Sequence, residues 1–198
     1  MHTALQQHKN KQLLLSPEQN IPEICQQWLN NDPLFLDTET TGLDEKAEIV
    51  ELAVVNGKGE VLINTLIKPA FPIPAVVTEL HGISNETVAD APDWHDIYPE
   101  VRSLLTGRRV IAYNARFDAR MLNQTCGFYR LPGLPADWLC AMRLYQKYAG
   151  NRRWVKLTKA AATCGVTVPD QIHRALADTL LCLGVVRRMA EETVRLAS

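Results

Sequence analysis

Leu34-Phe-Leu-Asp-Thr-Glu-Thr-Thr-Gly-Leu43 is the stretch from which the fold and the chemistry of this chain are read. Leu34, Phe35 and Leu36 open a strand, and Asp37 and Glu39 stand at its end, two residues apart. Side chains alternate along a strand, so both carboxylates leave the same face. Two acids side by side at the end of an apolar strand repel unless a cation neutralises them, and all-oxygen ligands favour Mg2+ or Mn2+. Acid pairs of this spacing also occur at solvated strand ends, so the pair asks for corroboration elsewhere in the chain.

Working outward, residues 47–56 (AEIVELAVVN) and 60–68 (EVLINTLIK) are β-branched runs joined by Gly57-Lys58-Gly59, the pattern of a hairpin following the first strand. Helical periodicity covers 75–81 and 94–105. A buried-strand run, 109–113 (RVIAY), leads through Asn114 into a helix over 115–126, and further helices fit 157–164 and 175–192. A meander followed by strand–helix alternation predicts an α/β domain, a mixed sheet covered by helices. On the N-terminal side, Asn20 caps a short helix with Glu23 at the capping-box position and Pro22 in the first turn. Ile21, Ile24, Cys25, Trp28 and Leu29 share one face of that helix, and Asp32-Pro33 ends it. The expected organisation is an N-terminal arm and docking helix over 1–33 and one domain over 34–198.

The 198 residues, 46% apolar and 22% charged, suit one globular domain that needs no disulfide or metal to fold. The five cysteines are an odd number with no C-x-x-C spacing and read as reduced thiols. No apolar run approaches the roughly 18–20 residues that cross a bilayer, and the first twenty residues lack a signal-peptide pattern. A cytoplasmic protein with no membrane contact is expected. A net charge of −1 excludes a chain that coats nucleic acid indiscriminately, but it hides segregation. Residues 37–60 hold seven acids and two lysines, whereas 143–159 (RLYQKYAGNRRWVKLTK) hold six basic residues and no acid, interleaved with Tyr145, Tyr148 and Trp154. Basic residues mixed with aromatics suit a single-strand track, for which Arg152, Arg153 and Lys156 are the candidates.

Two further clusters carry acids. In Asn114-Ala-Arg-Phe-Asp118, Asn114 reads as an N-cap and Asp118 falls in the first helical turn, where the helix dipole favours an anion. In His173-Arg-Ala-Leu-Ala-Asp178, the histidine precedes a helix that carries Asp178. Each cluster alone has an ordinary structural explanation. Taken with residues 35–43 and His81-Gly-Ile-Ser84, they resemble in order and separation the DnaQ-like 3′→5′ exonucleases of the DEDD type, in the subgroup that carries a histidine. The resemblance spans residues 34–190.

That resemblance implies a ribonuclease H-like fold with a mixed five-stranded sheet flanked by helices. It implies Asp37, Glu39, Asp118 and Asp178 as ligands of two divalent ions, Mg2+ or Mn2+, with Asp37 bridging them. His173 is then the general base, a role that suits an imidazole with an ordinary pKa of about 6.5. Thr40, Thr41, Gly42 and Leu43, with Leu80 and His81, would cradle the terminal nucleotide, and Asn114 and Phe117 would lie beside it. The activity implied is hydrolysis at the 3′ ends of single-stranded DNA with release of nucleoside 5′-monophosphates. The alternatives are an RNA-trimming enzyme similar to ribonuclease T or oligoribonuclease, and a polymerase-associated proofreading or binding subunit. With no tethering extension after Ser198, a free-standing enzyme or homodimer is expected ahead of a polymerase partner.

Overall fold

The computed structural model describes residues 20–169 and 173–196. Along the chain run α1 (Ile21–Asn30), β1 (Leu34–Thr40), β2 (Ile49–Asn56), β3 (Val61–Leu66), α2 (Ala75–His81), α3 (Trp94–Leu105), β4 (Arg109–Ala112) and α4 (Ala115–Phe128). They are followed by β5 (Asp137–Cys140), α5 (Ala141–Tyr148), α6 (Leu157–Thr163) and α7 (Ala175–Leu196). The five strands form one mixed sheet in the order β3-β2-β1-β4-β5. β3, β2 and β1 are antiparallel, and β4 and β5 continue parallel to β1. The expected α/β architecture is therefore the observed one. The N-terminal arm, residues 1–19, lies outside the described residues.

The two-residue period of β1 sorts the interior into two cores. Phe35, with Val55 and Ile111 from its neighbours, faces α1, α5, α6 and α7. Leu34 and Leu36, with Leu52, Val54 and Val110, face α3 and α4. Both faces of the central strands are covered, which is why β2 reads as a nearly unbroken apolar run. The hairpin between β2 and β3 turns at Gly59, whose φ of 89° is open to glycine at little cost. The β1/β2 register slips between Glu39 and Thr40, so that Thr40 faces Ile49 instead of Val50. Val50 enters a third, small core with Ile73, Ile83 and Val88, which holds the α2 region against the start of β2.

Two features differ from the sequence reading. β5 and α5 were not expected as separate elements; β5 is a four-residue edge strand, recognisable only by its pairing with β4. Asn114 precedes α4 but makes no side-chain capping bond; its carbonyl instead accepts from the Phe117 amide at 2.7 Å. α1 begins with the expected cap, the Asn20 Oδ1 accepting from the Glu23 amide at 2.9 Å. Its apolar face packs on α7 and α5, so the surface on which this helix docks belongs to its own domain.

Candidate active site

The same strand parity builds the site. Asp37 and Glu39 continue the Phe35 side of β1 and emerge toward α7, while Thr38 between them points toward α4. α7 brings Asp178 in its first turn, and one carboxylate oxygen each of Asp37, Glu39 and Asp178 lies within 4.8 Å of the others. Asp118, buried in the first turn of α4, approaches from the other side of the strand and is held by Thr38, whose hydroxyl donates to Asp118 Oδ1 at 3.0 Å. The four acids thus converge on the end of β1 from three segments distant in sequence. Thr38 is a partner the sequence reading missed, although the alternation that pairs Asp37 with Glu39 also sends Thr38 to the opposite face.

Withdrawal from water and mutual repulsion both act on these groups. Asp37 is held well above the ordinary carboxylate range by desolvation and then by the charges of Asp118, Asp178 and Glu39. Desolvation first, with Asp178 and Glu51 adding to it, pushes Glu39 up to about 8. Asp118 is raised to about 7 by burial, against the opposing hydrogen bond from Thr38. Asp178 is also raised by desolvation, while the nearby His173 ring and backbone pull it back down. Groups that resist ionisation until neutralised, all offering hard oxygen donors, form a set that can hold divalent cations.

A stability signature follows. A carboxyl whose folded pKa lies above its unfolded value keeps its proton in the fold after the unfolded chain has lost it, so the stability it contributes disappears as pH rises through the folded pKa. For Glu39 and Asp118 that loss begins near the ordinary carboxylate values and is complete above about 8. In EDTA the urea midpoint is therefore expected to fall between pH 6 and pH 9; a midpoint that rises over this interval contradicts the raised acids.

His173 lies half-buried just before α7 with φ of 63°, a left-handed backbone uncommon for a residue other than glycine. At the expected cradle, the Thr40 hydroxyl donates to the Gly42 carbonyl at 2.7 Å and the Thr41 hydroxyl accepts from the Glu48 amide at 2.9 Å, so both threonines hold the turn itself. Leu43, on this turn, and Leu80, on α2, are both exposed to solvent. His81 differs from expectation: it is buried, its Nδ1 accepts from the Ile83 amide at 3.0 Å, and Nε2 reaches the Thr40 carbonyl at 3.3 Å. Nε2 is then the protonated nitrogen, and the ring ties α2 to the strand end instead of presenting a free nitrogen to a ligand. Phe117 is half-buried against the α3/α4 core, with the Arg120 guanidinium 5.4 Å from its ring centre.

The basic stretch divides. Tyr145 is buried in the core and Tyr148 is half-buried against it, so these two aromatics are drawn inward from the basic stretch. Arg152, Arg153, Trp154 and Lys156 remain exposed. Their loop is fastened by the Tyr113 hydroxyl, which donates to the Val155 carbonyl at 3.0 Å. Tyr113 follows β4, whose C-terminal end lies at the same end of the sheet as that of its parallel neighbour β1, so the basic loop is anchored at the end of the sheet that carries Asp37 and Glu39.

A half-buried cluster of acids at the end of the central strand of this fold is the site of a nuclease, and comparison with known proteins agrees. Residues 34–186 match the RNase T family, described as exonucleases. The chain belongs to this DnaQ-like exonuclease family and has its ribonuclease H-like fold. It is 42% identical to the uncharacterized exonuclease CP81 of Escherichia phage 186, over 86% of this chain and 94% of that one. It is 27% identical to the DNA polymerase III subunit epsilon of Aquifex aeolicus over 80% of each chain. Among solved structures, Exonuclease X in complex with 5′ overhanging duplex DNA superposes with a TM-score of 0.62 at 28% identity, covering 81% of this chain and 91% of that one.

Proposed function

We propose that this exonuclease removes nucleotides from the 3′ end of single-stranded DNA, releasing 5′-monophosphates, with two divalent ions, Mg2+ or Mn2+, held by Asp37, Glu39, Asp118 and Asp178. The observation that carries the reading is the convergence of Asp37, Glu39 and Asp178 within 4.8 Å, with Asp118 arriving from α4. Bound there, the ions supply Lewis-acid activation of water and stabilise charge on the leaving oxygen. His173, beside Asp178, takes the proton from the attacking water. Asp178 keeps that imidazole in a negative field and offsets the positive charge it acquires. Leu43 on the turn and Leu80 on α2, both exposed, wedge against the terminal base, with Phe117 and Asn114 beside it. The solved complex of Exonuclease X with DNA and the epsilon relative favour DNA as substrate.

Digestion of matched DNA and RNA oligonucleotides carrying either a 3′ or a 5′ label, in Mg2+, Mn2+ and EDTA, tests the reading. Stepwise loss from DNA 3′ ends that stops in EDTA is the expected result. Preferred trimming of RNA would move the enzyme to the ribonuclease side of its family, and persistence in EDTA would overturn the mechanism.

Arg152 and Arg153 track the phosphates upstream of the cleaved bond. Each contact with a single strand contributes about 0.7 to the slope of log K against log salt. The double variant Arg152→Ala/Arg153→Ala is therefore expected to flatten that slope by about 1.4. An unchanged slope removes both residues from the track.

A further inference from the structure

Glu51 is the single acid within the apolar run of β2, and it is almost fully buried. It lies opposite Glu39 in the β1/β2 ladder, on the face toward α7. A carboxylate so placed requires partners, and both its oxygens are used. Oε1 accepts from Arg174 Nη2 at 2.6 Å and from Arg174 Nε at 3.1 Å; Oε2 accepts from Arg174 Nε at 3.1 Å and from the Ala175 amide at 2.9 Å. Every donor comes from the two residues that follow His173. Glu51 thus satisfies one of the open amides at the start of α7 and pins the adjacent arginine by its guanidinium. His173 is one peptide bond away, with its backbone in the left-handed region, a conformation that persists only where the surroundings enforce it.

We infer that Glu51 and Arg174 are positioning residues that fix the orientation of His173 relative to the acids of β1. This rests on the reading of His173 as the general base. The clamp attaches the residues after the histidine to β2, the strand hydrogen-bonded to β1, so base and acids share one rigid frame. Neither residue touches the reacting atoms; both act through the backbone of His173. Arg174 is half exposed and Glu51 is not, so truncating Arg174 to alanine would leave a buried, unpaired carboxylate and confuse positioning with folding. Conservative changes avoid this: Arg174→Lys keeps the charge but not the fork, and Glu51→Gln keeps the shape and the acceptor oxygen.

The experiment is a double-mutant cycle. Arg174→Lys and Glu51→Gln are measured alone and combined with His173→Ala, for kcat and KM on a single-stranded oligonucleotide, with Mn2+ binding by calorimetry and thermal midpoints as controls. Each single variant is expected to lower kcat by about 10–100-fold, the usual cost of losing a residue that orients a functional group. KM and Mn2+ affinity should stay within about threefold, and the loss should vanish in the His173→Ala background because the group being positioned is gone. Wild-type kcat in both single variants overturns the inference. So does a loss that persists undiminished on top of His173→Ala, or one that follows Mn2+ affinity, since the clamp would then act on the acids. If His173→Ala itself retains wild-type turnover, the assignment of the base fails and the clamp with it; an inactive His173→Ala with an additive Arg174→Lys sinks the clamp alone.

Discussion

Replacing Asp178 with asparagine is expected to lower exonuclease turnover by more than the roughly 10²–10⁴-fold that loss of a general base costs, and at the same time to stabilise the metal-free protein. Both effects come from one geometry. The Asp178 carboxylate lies within 4.8 Å of ligand atoms of Asp37 and Glu39 and raises the pKa of each. Removing its charge takes away a proposed cation ligand while relieving repulsion among half-buried acids. Function and stability therefore pull in opposite directions at this residue. Turnover at several Mg2+ concentrations and urea unfolding at pH 9 in EDTA check the two halves. A variant as unstable as the parent at pH 9 would show that the acids do not strain the metal-free fold, and retained turnover would remove Asp178 from the site.

His173→Ala is expected to reduce turnover by about 10²–10⁴-fold while leaving divalent-ion affinity unchanged. The separation of the two readouts is the point. His173 stands beside Asp178 without belonging to the Asp37–Glu39–Asp178 cluster, so its loss should remove a proton acceptor and no ligand. Near-wild-type turnover with normal cation dependence contradicts the role. A parallel fall in Mn2+ affinity would show instead that the imidazole shapes the acid cluster.

Much of this site was legible in residue order alone. The i, i+2 placement of Asp37 and Glu39 after an apolar strand start determines a shared face, and Asp118 and Asp178 each fall in the first turn of a helix, as their flanking patterns imply. What escaped depends on contacts between segments. β5 carries an exposed Asp137 and no alternation, and it exists because β4 offers it an edge. Tyr145 and Tyr148 looked like part of a basic track until α5 turned them into the core. Nothing local predicts that both nitrogens of His81 serve backbone groups, since one of them, the Thr40 carbonyl, comes from another element. Glu51 did leave a trace: a lone charge inside IVELAVV demands a partner, yet only the fold identifies Arg174, 123 residues away.

The arrival of the acids from both ends of the domain has a consequence for the life of the chain. Asp37 lies on the first strand and Asp178 on α7, the last described element, which packs between α1 and the sheet. Contacts of such long sequence separation form late in folding. During synthesis the ribosome must therefore release nearly the whole domain before α7 can dock and the acids can meet. Until then the nascent chain lacks the proposed acid cluster, and any partial unfolding that frees α7 parts Asp178 from Asp37 and Glu39.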